Sequence, residues 1–191
     1  MSKTKSNNLL KLVLSAMFLA LGLVLPFLTG QIKEIGNMLL PMHIPVMLCG
    51  LICGWQYGLI IGAIVPIMRS ALFAMPIMFP SAISMAFELA TYGFVIGYLF
   101  SHAKWKCIKS LYRCLLIAMI SGRVVWGIVQ CCLLGLGSNG FTLTAFLSGA
   151  ILKAIPGIVL QLVLIPAVML ILGKTHLIHF KSTKCKRQSV K

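Results

Sequence analysis

The sequence predicts an all-α polytopic membrane protein, six transmembrane helices with both termini in the cytoplasm, and three observations carry that. Of 191 residues, 60% are hydrophobic and only 10% charged, against about 25% charged in an ordinary soluble domain. The apolar stretches recur at lengths near the ~20 residues that a helix needs to cross a ~30 Å hydrocarbon core. The basic residues, which give a formal charge of +15, gather at the N-terminus, in residues 104–113 and in the C-terminal tail. The positive-inside rule puts such clusters on the cytoplasmic face. That distribution also argues against nucleic acid as a partner, since cations beside membrane spans meet anionic lipid headgroups. Barrel-type alternation is absent, so the spans are helical.

The chain divides into a basic lead-in (1–8), a six-helix membrane domain (9–172) and a basic tail (173–191). Helix 1 is expected over residues 9–28. Its apolar run has the look of a secretory leader, but no small-residue cleavage site precedes Pro26 and five further spans follow. Ala16 and Ala20 share one face of it, a small-x-x-x-small pattern that lets helices approach closely, within this chain or across to another. Residues 29–40 form an amphipathic connection with Gln31, Lys33, Glu34 and Asn37. Helix 2 (41–55) is short and carries Pro41 and Pro45, and a tight turn at Gln56 leads into helix 3 (58–75). A turn punctuated by Pro76 and Pro80 precedes helix 4 (81–100). A basic loop leads to helix 5 (111–136), and a polar loop to helix 6 (143–172). With this topology the external connections carry almost no cations, as the rule requires. No internal repeat of the kind that organises self-sufficient transporters is visible.

Four charges fall inside spans, where each costs roughly 2.5–3.5 kcal/mol on insertion scales and marks a function by default. Counting 1.5 Å per residue, Arg69, Glu88 and Lys153 lie about 9–15 Å below the outer face, with Arg123 a turn or two deeper. None is at a cytoplasmic helix end, where snorkelling would explain it. Three cations against one carboxylate suggest a wet cavity that receives an anion from outside. The plainer alternative pairs Glu88 with Arg69 or Lys153 and turns Arg123 toward headgroups. Ser84, Glu88 and Tyr92 share a face of helix 4, and Arg123, Trp126 and Gln130 a face of helix 5. Apolar walls with a few placed polar groups suit a small-molecule site, although Tyr92 and Trp126 are equally explained by packing. His43, at the mouth of helix 2, either lines the site or lies at the interface. Asn139, in the helix 5–6 loop, is a candidate gate.

Other chemistry is excluded. Gly173-Lys174-Thr175 lacks the upstream glycine and the strand of a phosphate-binding loop, so this chain does not hydrolyse ATP. The catalytic sets of hydrolases are absent, and the chain is not expected to be an enzyme. Two acids are too few for the usual proton- or sodium-coupled transport. The seven cysteines form no disulfide framework and read as small apolar residues of a reduced protein. Cys49-x-x-x-Cys53 lacks the second ligand pair of a zinc site.

The stretch from Pro41-Met-His-Ile-Pro45 through Gly50, Gly54 and Gly58, followed by Met85-Ala-Phe-Glu-Leu-Ala-Thr-Tyr-Gly93, resembles the substrate-binding (S) subunits of energy-coupling factor vitamin transporters. The Pro41–Pro45 opening and the Met85–Gly93 segment are most similar to the pantothenate-type branch. The resemblance implies a multi-pass protein of the bacterial plasma membrane that captures a vitamin from outside, with the helix 1–2 connection as lid. It implies docking through Ala16 and Ala20 on a transmembrane coupling subunit, toppling in the membrane, and drive from two cytoplasmic ATPase subunits that use the ATP. No cofactor is expected in this chain. Pantothenate would place its carboxylate among Arg69, Arg123 and Lys153, and its hydroxyls and amide near Glu88, Tyr92 and Gln130. Folate, riboflavin, pyridoxine or a thiamine precursor are the alternative ligands. A stand-alone channel or facilitator is the alternative class, disfavoured by the apolar inner halves of helices 2, 4 and 6.

Overall fold

Apolar segments without water must satisfy their backbone internally, and helices do so here. The computed structural model describes residues 2–28, 41–74, 76–103, 107–135 and 155–174. Among them the elements are α1 (Ser2–Leu28), α2 (His43–Cys53), α3 (Trp55–Phe73), α4 (Ile83–His102), α5 (Ile108–Gly135) and α6 (Ile155–Lys174), with a helical turn Met78–Ala82 leading into α4. No strand occurs among the described residues. The backbone helix of α1 begins at Ser2, so the expected lead-in is the start of the first helix. Lysine is a good helix former, and a helix once nucleated runs on through such residues. The expected start of helix 6 at 143–154 lies outside the described residues, as do the lid segment 29–40 and most of the tail.

Among the described residues five helices are long and apolar enough to cross a membrane: α1, α3, α4 with its lead-in, α5 and α6. The second helix is not. With 11 residues it rises about 16 Å, half the hydrocarbon thickness. Its limits follow from its sequence. Pro45 sits in the first turn, where a missing N–H costs nothing; further into a helix it would remove a bond and clash. At the other end Gly54 adopts φ 108°, a conformation open to glycine and strained for any other residue. One residue therefore joins α2 to α3, two positions before the turn expected at Gln56. A helix that is apolar all round must be enclosed, and every residue of α2 except the half-buried Ile52 is buried. It lies against α1, α3, α4 and α6.

Glycines set how closely α2, α3 and α4 approach. A Cβ at Gly58 would stand 2.7 Å from both the Gly50 Cα and the Gly93 carbonyl oxygen, and one at Gly97 would stand 2.7 Å from the Gly50 oxygen and the Trp55 Cα. Gly62 faces the backbone of Leu89 in the same way. Small residues let backbones touch where lipid gives no hydrophobic drive. Here the obstacles are backbone atoms, which cannot swing aside. Gly93→Val is therefore expected to destabilise the bundle by at least the ~1–3 kcal/mol of an overpacked core. The check is the melting temperature of the detergent-purified chain.

Proline within spans is tolerated when a neighbour takes up the freed carbonyl. Pro166 of α6 cannot donate to the Leu162 carbonyl, and Tyr112 of α5 donates its hydroxyl to that oxygen at 3.1 Å. Tyr112→Phe is expected to cost about 1 kcal/mol and to cost nothing in a Pro166→Ala background. A double-mutant melting cycle would measure that coupling.

Outward faces are largely apolar; Leu9, Val13, Met17 and Val24 on α1 and Ile117, Ile120, Val124 and Ile128 on α5 are exposed, as residues facing lipid tails would be. Cys49, Cys53 and Cys114 are buried free thiols, and Cys131 and Cys132 are exposed ones. Cys107 departs from the expected reduced state, being disulfide-bonded.

Candidate ligand site

Glu88 lies on α4 one turn before Tyr92, and the two side chains meet: the Tyr92 hydroxyl donates to Glu88 Oε1 at 2.9 Å. Room for the tyrosine ring comes from α5. A Cβ at Gly122 would fall within 2.8 Å of three Tyr92 ring carbons, so the missing side chain there lets the ring lie against the helix. The next residue, Arg123, brings Nη1 to 3.2 Å from the same carboxylate oxygen. From the N-terminal end of α2, His43 sets Nε2 3.7 Å from that oxygen and its ring 5.2 Å from the Tyr92 ring. Three elements thus converge on one carboxylate oxygen, Glu88 Oε1. The glutamate and histidine side chains are 2% and 1% exposed, while Arg123 retains 18%. Burial this deep makes each charge costly unless it is matched, and Arg123 supplies the match.

The cluster carries more hydrogen-bonding capacity than it uses. Among the described residues neither ring nitrogen of His43 has a hydrogen-bond partner. Buried polar atoms are satisfied in the great majority of cases, so an orphan calls for an explanation. Arg123 offers five donors in a planar fork, and it meets Glu88 most closely through Nη1. On the same helix, Gln130 leaves Oε1 buried without a partner, and on α6 Gln161 does so with Nε2. Trp126, one turn beyond Arg123, is half-buried. Ser84 is buried and returns its hydroxyl to the Ser81 carbonyl at 3.0 Å. Among the described residues no three His, Cys, Asp or Glu side chains gather as a metal ion would require.

Arg69 does not join this cluster. Its Nη1 donates to the Leu23 carbonyl at 3.1 Å, next to the Gly22 carbonyl whose helical donor Pro26 removes. Its guanidinium lies 5.5 Å from the Phe27 ring centroid and 5.9 Å from that of Phe73, both within cation–π range. Among the described residues Arg69 makes no ion pair, so it clamps the ends of α1 and α3 together. The pairing of Glu88 with Arg69 considered from sequence gives way to a pairing with Arg123. Arg123 in turn faces the carboxylate, and the headgroup-facing alternative fails. His43 is enclosed in the bundle. Lys153 and Asn139 lie outside the described residues. Ala16 and Ala20 are both exposed on α1.

Two residues were not singled out from sequence. Gln161 is the lone amide in the otherwise apolar described part of α6, and the reasoning that picked out buried charges applies to it at lower cost. Gly122 carries no chemical signal of its own, and its part is visible only once Tyr92 lies against it.

Comparison with curated proteins and with solved structures returns no match. A family match covers residues 10–169, under the description ECF transporter, substrate-specific component. That span takes in α2 to α5 and most of α1 and α6, every residue of the cluster among them. The chain therefore belongs to the substrate-specific components of ECF transporters, subunits that capture the transported molecule for a complex with coupling and ATPase partners and are not enzymes.

Proposed function

We propose that this subunit binds a small anionic vitamin, pantothenate as the best reading, from outside the cell membrane. It then delivers the vitamin inward by toppling against the coupling subunit, with both of its termini cytoplasmic. The observation that supports this most is the cluster of His43, Glu88, Tyr92 and Arg123 enclosed between α2, α4 and α5, with donors left over on Arg123 and His43. A carboxylate is the natural complement of an unfilled guanidinium fork. Hydroxyl and amide groups of the ligand complement Gln130 and Gln161, while His43 faces Glu88. Lys153 and Asn139 are further candidate contacts, as lining cation and gate residue. Arg69 belongs to the α1–α3 clamp first, and acts on the ligand only through that packing.

Calorimetric titration of the detergent-purified chain with a panel of B vitamins tests this reading. Pantothenate is expected to bind and a neutral flavin is not. Binding of folate, pyridoxine or a thiamine precursor in its place would move the assignment to another branch. Uptake into vesicles that requires the coupling subunit and ATPases separates this function from that of a stand-alone channel, which would conduct without them.

A further inference from the structure

We infer that Glu88 is an internal stand-in for the ligand's acidic group: it occupies Arg123 in the empty site and passes to His43 when an anion takes its place. This rests on the proposed capture of an acid by this site and adds the residue that sets the preference for one.

The geometry carries it. Glu88 Oε1 receives the Tyr92 hydroxyl at 2.9 Å and Arg123 Nη1 at 3.2 Å, a place where a carboxylate oxygen of a bound ligand would be held equally well. The closest approach of Arg123 is through Nη1, and a guanidinium has further donors with which to grip an arriving carboxylate by two nitrogens. The arginine is the more open partner, 18% exposed against 2% for Glu88. An arriving anion can therefore reach it without first unpacking the glutamate. On the other side of the carboxylate stands His43, with Nε2 3.7 Å from Oε1 and no hydrogen bond at either nitrogen. That is too far for a hydrogen bond and near enough that a shift of under about 1 Å makes one. The vacant nitrogens of a histidine 1% exposed otherwise have no account. As the second seat of Glu88 they have one.

The arrangement explains why a lone acid is kept in a chain with 17 basic residues and two acids. Without Glu88 the empty site would hold an unmatched buried cation. With an immobile Glu88, a ligand carboxylate would meet a like charge on the same arginine. A carboxylate with two seats avoids both states. His43 is then a positioning residue, acting on the ligand through Glu88.

The test is a cycle of Glu88→Gln and His43→Phe, read by calorimetry with pantothenate and with panthenol, which replaces the carboxylate by a neutral hydroxymethyl group. The readout is the ratio of the two affinities. Glu88→Gln is expected to raise the preference for the acid by about tenfold, the scale of one charge-assisted hydrogen bond. His43→Phe is expected to lower that preference by a similar factor in the native background and to leave it unchanged beside Glu88→Gln. A fall in acid preference in Glu88→Gln, or equal effects of His43→Phe in both backgrounds, would overturn the inference. If Glu88→Gln does not fold, His43→Gln, which keeps an amide donor for the carboxylate, should retain the preference that His43→Phe loses; equal loss in the two would overturn it.

A melting arm separates this inference from the choice of vitamin. Sodium acetate is expected to stabilise Glu88→Gln more than wild type, with sodium chloride of equal ionic strength as reference. Acetate stabilisation without any pantothenate binding would reject the vitamin and keep the two-seat carboxylate. Equal acetate shifts in both proteins would reject the two-seat carboxylate whatever the vitamin.

Discussion

Arg123→Leu is expected to remove about 3–5 kcal/mol of stability, the usual cost of deleting one partner of a buried ion pair, and with it all binding of an acidic ligand. The reason is the position of Glu88. Its side chain is 2% exposed and Arg123 is its cationic partner at 3.2 Å, so loss of the guanidinium leaves a carboxylate enclosed with Tyr92 and a histidine. The matching observation is that Glu88→Leu combined with Arg123→Leu should recover most of the lost stability, because an apolar pair of similar volume needs no solvation. Binding should not return with it. Melting curves of the single and double variants, taken beside calorimetric titrations, check both halves. A single variant that melts like wild type would show that the pair does not carry the centre of the bundle.

The second large effect concerns uptake and leaves capture alone. Ala16→Trp or Ala20→Trp is expected to abolish transport by the assembled complex while ligand affinity in detergent stays within about twofold, a few tenths of a kcal/mol. Both alanines are exposed on α1, on the side of that helix where Leu12, Val13, Met17 and Val24 also face outward. Both positions are open among the described residues, so a large ring there is expected to spare the fold. It does separate α1 from any helix that packs close to the small residues. Co-purification with the coupling subunit and vesicle uptake are the measurements. Uptake that persists with the ring in place would move the docking face elsewhere.

Much of this could be read before any coordinates, for a simple reason. Membrane spans announce themselves by length and hydropathy, and a buried polar group in such a span is expensive enough to be noticed singly. Glu88, Tyr92, Arg123 and His43 were all legible in that way, and they meet around one oxygen. Partner choice was not. The partner of Glu88 depends on the rotation of α5 against α4, which Gly122 and the Tyr92 ring decide and no periodicity reports. Arg69 looked like a fourth member of the same site by depth alone. Of its actual partners, the Leu23 carbonyl and the Phe27 ring come from the approach of α1, forty-odd positions away in sequence, and the Phe73 ring from its own helix. The second helix was expected to be short and proline-bearing, and it is too short to span; the glycine at φ 108° that ends it lies two residues from the expected turn.

The contact of α2, α3 and α4 through bare backbone at Gly50, Gly58, Gly62, Gly93 and Gly97 has a bearing on how cargo leaves. Helices that touch this way are keyed: slipping one along another by a single residue would drive a side chain into a peptide group. Release by shear between these three is thereby closed off. On the proposed function the three would move as one block, in keeping with rotation of the entire subunit or movement of the helices around that block.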